Sequence, residues 1–201
     1  MKLEESTFTV HKDISNSNFN PGLDYLHLNN KLCAAKNDDQ LFQLIVNVPF
    51  YQDKIQTSFI FLGIICLYLV DEKEKNHFKG VAHSKANFGF NHTQYSFTAL
   101  NNLKFNLNDS QNITAKTIRL GRMGETTDWN ELFTPAISTN QARDYQLKSG
   151  IEYSAIYPLK SRGGGALIYG FFQNKSFINE LQFDFMKKYT KFVDNQLSNM
   201  V

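Results

Sequence analysis

The chain has 201 residues, a formal net charge of +2, 42% hydrophobic and 20% charged residues. That near-neutral balance lacks the concentrated basic excess of a dedicated nucleic-acid binder. The length suffices to bury a core without disulfides or metal, and Cys33 and Cys66 lie too far apart for a disulfide framework or a zinc spacing.

The most apolar run, Phe59 to Val70, is too short for a membrane-spanning helix, and no apolar signal core follows Met1 to Glu5. A cytoplasmic protein with no membrane partner is expected. Asparagine supplies about a tenth of the residues, and without a signal segment triplets such as Asn91-His92-Thr93 say nothing of glycosylation.

Residues 1 to 20 are polar and aperiodic and read as a flexible leader before one domain over 21–201. Asn20-Pro21 has the form of an N-cap followed by a first-turn proline. Tyr25, Leu28, Leu32 and Ala35 then share a helical stripe. Asn37-Asp38-Asp39 caps a second helix, in which Leu41, Leu44, Ile45 and Val48 follow the i, i+3, i+4, i+7 pattern until Pro49 ends it.

Phe59 to Val70 is apolar at both parities and rich in β-branched residues, which predicts a central strand covered on both faces. Asp71 to Asn76 is a charged hairpin connection returning through Phe78 to His83, and Tyr95 to Leu100 is a candidate short strand. Ser110 is read as the cap of a helix over Gln111 to Leu120, with Gly121 at its C-terminal stop. Ser138 and Gln141 have capping-box spacing, opening a helix that stops before Gly150. Ile151 to Leu159 and Ala166 to Phe172 are strands joined by a glycine-rich hairpin. Ser176 is read as the cap of a long last helix, with Glu180 near its positive end. Its apolar residues form two stripes, Ile178, Leu181, Phe185, Tyr189 and Phe192 beside Met186, Val193 and Leu197. A face so broad predicts contact with a second subunit as well as a sheet. Hairpin-linked strands between terminal helices define an α+β fold around an antiparallel sheet.

Several of these segments, in this order, resemble the GAF domain family. Asn112 to Gly121 resembles the helix before a family strand, and Thr126-Thr127-Asp128-Trp129 the end of that strand. Gly150 to Leu159 resembles the "G-I-x-S-x-x-x-x-P-L" strand, Gly165-Ala166-Leu167 the start of the last strand, and Phe177 to Met200 the closing helix. Leu28 to Val48 is similar to the paired entry helices, and Phe59 to Asp71 to the first strand.

The resemblance implies a stand-alone bacterial protein with a GAF-like central antiparallel sheet. The N- and C-terminal helices would lie on one face, with short helices and loops over a small-molecule pocket on the other. It also implies a sensory or regulatory module in signal transduction, dimerising through its terminal helices and acting on a signalling partner. Members hold cyclic nucleotides, linear tetrapyrroles, haem, amino acids or nothing, so the fold does not fix a cofactor. The pocket candidates are Cys66, Tyr68, Trp129, Tyr153, Ala155 and Tyr157; the dimer candidates are Tyr25, Leu28, Leu32, Met186, Val193 and Leu197.

No catalytic constellation stands out. The glycine-rich turn lacks a following Lys-Ser or Lys-Thr and enters a strand, so it is a hairpin and not a phosphate cradle. His77, His83 and His92 lack ligand spacing for a metal. Neither cysteine has a histidine beside it for bilin attachment, and the cyclic-nucleotide signature is missing. An alternative is a small enzyme of the free-methionine-sulfoxide-reductase kind, which needs accessible, low-pKa thiols close together. Cys33 and Cys66 are both expected in the core, where burial raises a thiol pKa. A second alternative is an input domain serving a kinase or cyclase on another chain.

Overall fold

The computed structural model describes residues 25–51, 61–84, 100 and 103–199. The expected leader, Asn20, Pro21, Phe59, Ile60, His92 and the strand at Tyr95 lie outside the described residues. Six strands form one antiparallel sheet: β1 (Leu62–Val70), β2 (His77–His83), β3 (Lys104–Asn106), β4 (Gly124–Thr126), β5 (Tyr153–Leu159) and β6 (Gly165–Phe171). Their order is β3-β2-β1-β6-β5-β4. β1 and β6 sit at the centre, and all nine residues of β1 are buried, as its two-sided apolarity predicts.

One face of the sheet carries α1 (Tyr25–Cys33), α2 (Asp38–Asn47) and the long terminal helix α6 (Glu180–Asn199). Leu28 and Leu32 of α1, Leu41 and Ile45 of α2, and Phe185, Met186, Tyr189, Val193 and Leu197 of α6 form one core. They pack on Ile65, Leu67 and Leu69 of β1 and on Tyr153, Ala155, Tyr157 and Leu159 of β5. The opposite face carries α3 (Ile113–Leu120) and α4 (Trp129–Phe133), while α5 (Thr139–Ser149) packs beside α4. There Ala115, Trp129, Leu132 and Phe133 meet Ile64, Cys66 and Tyr68 of β1 and Ile156 of β5.

Local chemistry sets most element ends. Asn37 caps α2 by accepting from the Gln40 backbone N–H, and the Ser138–Gln141 capping box forms as its spacing predicts. Gly121 and Gly150 close α3 and α5 at φ 61° and 71°, the left-handed region that glycine enters without a Cβ clash. Two expected caps are displaced. Asn112, not Ser110, caps α3, because its side chain reaches the Ala115 N–H while donating to the Leu132 and Thr134 carbonyls. The last helix begins after Asn179, not Ser176. Asn179 Oδ1 accepts from Gln182 N at 3.0 Å and Gln182 Oε1 from Asn179 N at 2.9 Å, a reciprocal box that Ser176 lacks a partner to make.

Pro49 shapes the end of α2 from a distance. A helix would satisfy the Ile45 carbonyl with the N–H of residue 49, which proline does not have. The Tyr189 hydroxyl from α6 donates to that carbonyl instead, at 2.6 Å. The sequence thus ties two helices together through a missing hydrogen.

The β5–β6 hairpin is held by two helices. Arg162, in the left-handed region at φ 52°, donates both guanidinium nitrogens to Asp38 at the start of α2, at 2.6 and 2.9 Å. Asp194 of α6 accepts from the backbone N–H groups of Lys160 and Ser161 at 2.9 Å.

Candidate functional site

The candidate site is the sheet face beneath α3 and α4, and its geometry starts from a bulge. β1 pairs regularly with β2 through Leu67↔Ala82, but the next partner of Tyr68 is Gly80, so Val81 is an extra residue. A bulge of this kind reverses the side-chain alternation beyond it. Phe78 and Ala82, four residues apart on one strand, therefore lie in the cores on opposite faces.

The reversal brings Phe78 against Phe105 of β3, directly across the ladder, with ring centroids 5.0 Å apart and planes 13° apart. The Tyr68 ring packs edge-on against both, at 6.1 and 5.8 Å. Gly80 closes the cradle. A Cβ there would stand 2.6 Å from the Leu100 carbonyl oxygen and 3.2 Å from the Tyr68 ring, so only glycine allows this approach.

Tyr68 is 2% exposed, and its hydroxyl has no hydrogen-bond partner among the described residues. The other deeply buried tyrosines contrast with it. Tyr153 donates to Glu125 at 2.9 Å, the Tyr169 and Thr190 hydroxyls pair at 2.8 Å, and Tyr189 donates to Ile45. Burial pushes the Tyr68 hydroxyl far above the usual tyrosine pKa, and Cys66 on the same face adds to the rise. Burial alone pushes the Cys66 thiol up to about 12. Both groups stay protonated at neutral pH. A second hydroxyl, that of Thr114 on α3, is also buried without a partner among the described residues.

Trp129 opens α4 behind its N-cap Asp128 rather than ending a strand; β4 stops at Thr126. The Trp129 indole N–H donates to the Ser154 hydroxyl of β5 at 3.3 Å, and its ring meets Phe133 edge-on at 5.2 Å. Gln146 holds the start of α4 in place, accepting from Trp129 N at 3.0 Å and donating to the Thr127 carbonyl at 2.8 Å.

The structure divides the six pocket candidates. Cys66, Tyr68 and Trp129 share the face just described, whereas Tyr153, Ala155 and Tyr157 point to the terminal-helix core. The register decides this: Tyr68 pairs with Ala166 of β6, and Ala166 pairs with Pro158 of β5. Pro158 is thus in phase with Tyr68, and the residues on either side of it face the other way.

The dimer candidates are also placed. Leu28, Leu32, Met186, Val193 and Leu197 are at most 1% exposed within the single chain. Their stripe covers this chain's own sheet, so these side chains are not available to a second subunit; Tyr25 lies on α1. Cys33, expected in the core, is exposed at the end of α1 because it lies one residue beyond the buried Leu32. The two thiols therefore belong to different layers, Cys66 on the Tyr68 face and Cys33 on a helix of the opposite face.

His77 lies 3.3 Å from the Glu74 carboxylate in the β1–β2 hairpin. Among the described residues no group of three His, Cys, Asp or Glu side chains is placed to hold a metal, and no helix is long and apolar enough to cross a membrane. A cleft of about 570 Å³ opens at the hairpin end of the sheet, lined by Asp38, Asp71, Glu72, Lys75 and Arg162. Its charges are of both signs: Asp38 holds Arg162 within the cleft, and Asp71 pairs at 3.4 Å with Lys79 outside its lining.

No protein-family model matches the sequence, and no curated protein does. Solved structures do match the fold. The GAF domain of an Acinetobacter phosphoenolpyruvate-protein phosphotransferase superposes with a TM-score of 0.54 at 11% identity, covering 88% of this chain and 92% of that one. Residues 122 to 287 of a methyl-accepting chemotaxis protein give 0.53 at 10%, covering 86% and 95%. The substrate complex of free methionine-R-sulfoxide reductase from Neisseria meningitidis gives 0.50 at 11%, covering 87% of each chain. This chain has the GAF fold, shared by a segment of a chemotaxis protein and by a reductase.

Proposed function

We propose that the protein is a non-enzymatic sensory or regulatory module of the cytoplasm, which holds a small molecule on the Tyr68 face of its sheet and passes the bound state to a signalling partner. One observation carries the reading: the Tyr68 hydroxyl is buried, without a partner among the described residues, in a cradle made by a bulge and a glycine. A buried polar group left unpaired costs free energy, and a ligand that accepts its hydrogen bond recovers it. The sensory neighbours support the class, and the chemotaxis protein among them supports a signalling output.

The reductase alternative draws no support from the thiols, which stand in different layers with Cys66 held protonated. On α6 the exposed residues include Lys187, Lys188, Lys191 and Asn195, with Leu181 the large apolar side chain exposed near its start, so self-association through this helix draws little support from its described surface.

Native mass spectrometry of the freshly purified full chain tests the reading together with a nuclear magnetic resonance fragment screen. A retained mass, or fragments shifting resonances of Ile64, Cys66, Tyr68 and Ile168, is the expected result. Binding whose shifts fall only on the terminal-helix face would refute it.

A further inference from the structure

Resting on that reading, we infer that the ligand is an uncharged, planar molecule bearing a hydrogen-bond acceptor, and that Tyr68 is the residue that selects it. Three features of the face lead there. The first is charge. Among the described residues no Asp, Glu, Lys, Arg or His is buried, and the buried polar side chains are hydroxyls and amides. A charged ligand placed in this layer would meet no buried opposite charge among the described residues to offset its lost hydration.

The second is shape. Tyr68, Phe78 and Phe105 present ring edges and faces at centroid distances of 5.0 to 6.1 Å, and Ile64, Ile156 and Ile168 continue the apolar layer across the sheet. A flat ring packs on such walls with offset or edge-on geometry.

The third is polarity of the hydrogen bond. The Tyr68 hydroxyl and the Cys66 thiol, two residues apart on one face of β1, are both protonated and able to donate. The Thr114 hydroxyl, buried without a partner among the described residues, stands on α3, the helix that covers this face. Such groups are completed by an acceptor such as a carbonyl or a ring nitrogen. A site that hydrogen-bonds its ligand rejects an analogue lacking the group, because the buried donor is then left unpaired.

Four size-matched probes test this on the full chain by nuclear magnetic resonance titration: benzamide, toluene, benzoate and benzylammonium. The expected result is that benzamide shifts the β1-face resonances, while the other three bind at least tenfold more weakly. Tyr68→Phe, which removes only the oxygen, is expected to weaken benzamide about tenfold and leave toluene unchanged. Benzoate or benzylammonium binding as tightly as benzamide overturns the neutral-ligand inference. Equal binding of toluene and benzamide, unchanged in Tyr68→Phe, overturns the role of Tyr68. In both cases shifts confined to the Tyr68 face leave the module reading standing. Failure of every probe to shift that face overturns the inference and the reading together.

Discussion

Replacing Tyr68 by phenylalanine tests the central observation without any ligand. The hydroxyl is buried with no partner among the described residues, a state that costs about 1–3 kcal/mol of desolvation. Removing the oxygen recovers that cost. It leaves a void on the order of 10–15 Å³, about one water in size, and roughly 0.3 kcal/mol is lost to it at ~24 cal/mol per Å³. The net expectation is a gain of about 0.7–2.7 kcal/mol, or a rise in Tm of roughly 1–11 °C for a domain of this size. Tyr189→Phe is the control of opposite sign. Its hydroxyl donates at 2.6 Å to a carbonyl that Pro49 cannot serve, so its loss should cost about 1–3 kcal/mol. Both variants are measured by urea and thermal melts on protein refolded from urea, which strips any retained molecule. A loss of 1 kcal/mol or more in Tyr68→Phe would mean that the hydroxyl has a protein partner, and the site argument would fail.

Other consequences are separately measurable. A thiol reagent at neutral pH is expected to label Cys33 quickly in the native protein and Cys66 only after unfolding, since one is exposed and the other buried; equal rates would contradict the layering. Sedimentation across a wide concentration range is expected to show a monomer, because Phe185, Met186, Tyr189, Val193 and Leu197 of α6 are consumed within the chain; a concentration-independent dimer would refute this. Asp38 and Glu125 are held below the usual carboxylate range, first by hydrogen bonds from Arg162 and Lys175 respectively. Their contribution to stability is present above the unfolded pKa, near 4, and is lost as pH falls through the lowered folded values. The urea midpoint should therefore drop on acidification below about pH 4, and less steeply in Asp38→Asn; an unchanged slope would remove the Arg162–Asp38 pair from the account.

Legibility in the sequence followed the range of the forces involved. Capping and turn chemistry act over three or four residues, so Asn37, Ser138, Gly121 and Gly150 could be assigned from spacing alone. The two-sided burial of β1 was equally legible, because both parities of its pattern are apolar. The stripes of α1 and α6 were correctly apolar but not assignable to a partner: periodicity shows that a face is buried and not what buries it. The pocket failed at longer range. Alternation puts Tyr153, Ala155 and Tyr157 on one face of β5 and Cys66 with Tyr68 on one face of β1, while whether the two faces coincide depends on registers relayed through β6. No local signal marks a relative parity two strands away. Nor does the sequence announce that one tyrosine among several lacks a partner among the described residues, since every long-range bond of the others had to be placed first.

The bulge at Val81 is where this relative parity becomes function, and deleting Val81 would expose its role. Without the extra residue, β2 can pair regularly with β1 only if one of its halves turns over. If the first half turns, Phe78 leaves its stack on Phe105 and Tyr68, and a phenylalanine now 0% exposed loses its layer. Losing that burial costs about 1.5–3 kcal/mol. If the second half turns, Ser84 gives up its 3.0 Å bond from the Ile65 N–H and its own 2.8 Å bond to the Ile65 carbonyl, and Ala82 leaves the terminal-helix core. Either way the cost should reach about 2 kcal/mol, visible as a lower urea midpoint with unchanged slope. Benzamide shifts on the β1 face should vanish with it. A deletion variant as stable as the parent, still binding on that face, would mean that the bulge does not set the Phe78 wall beside Tyr68, and the cradle would have to be explained by Gly80 alone.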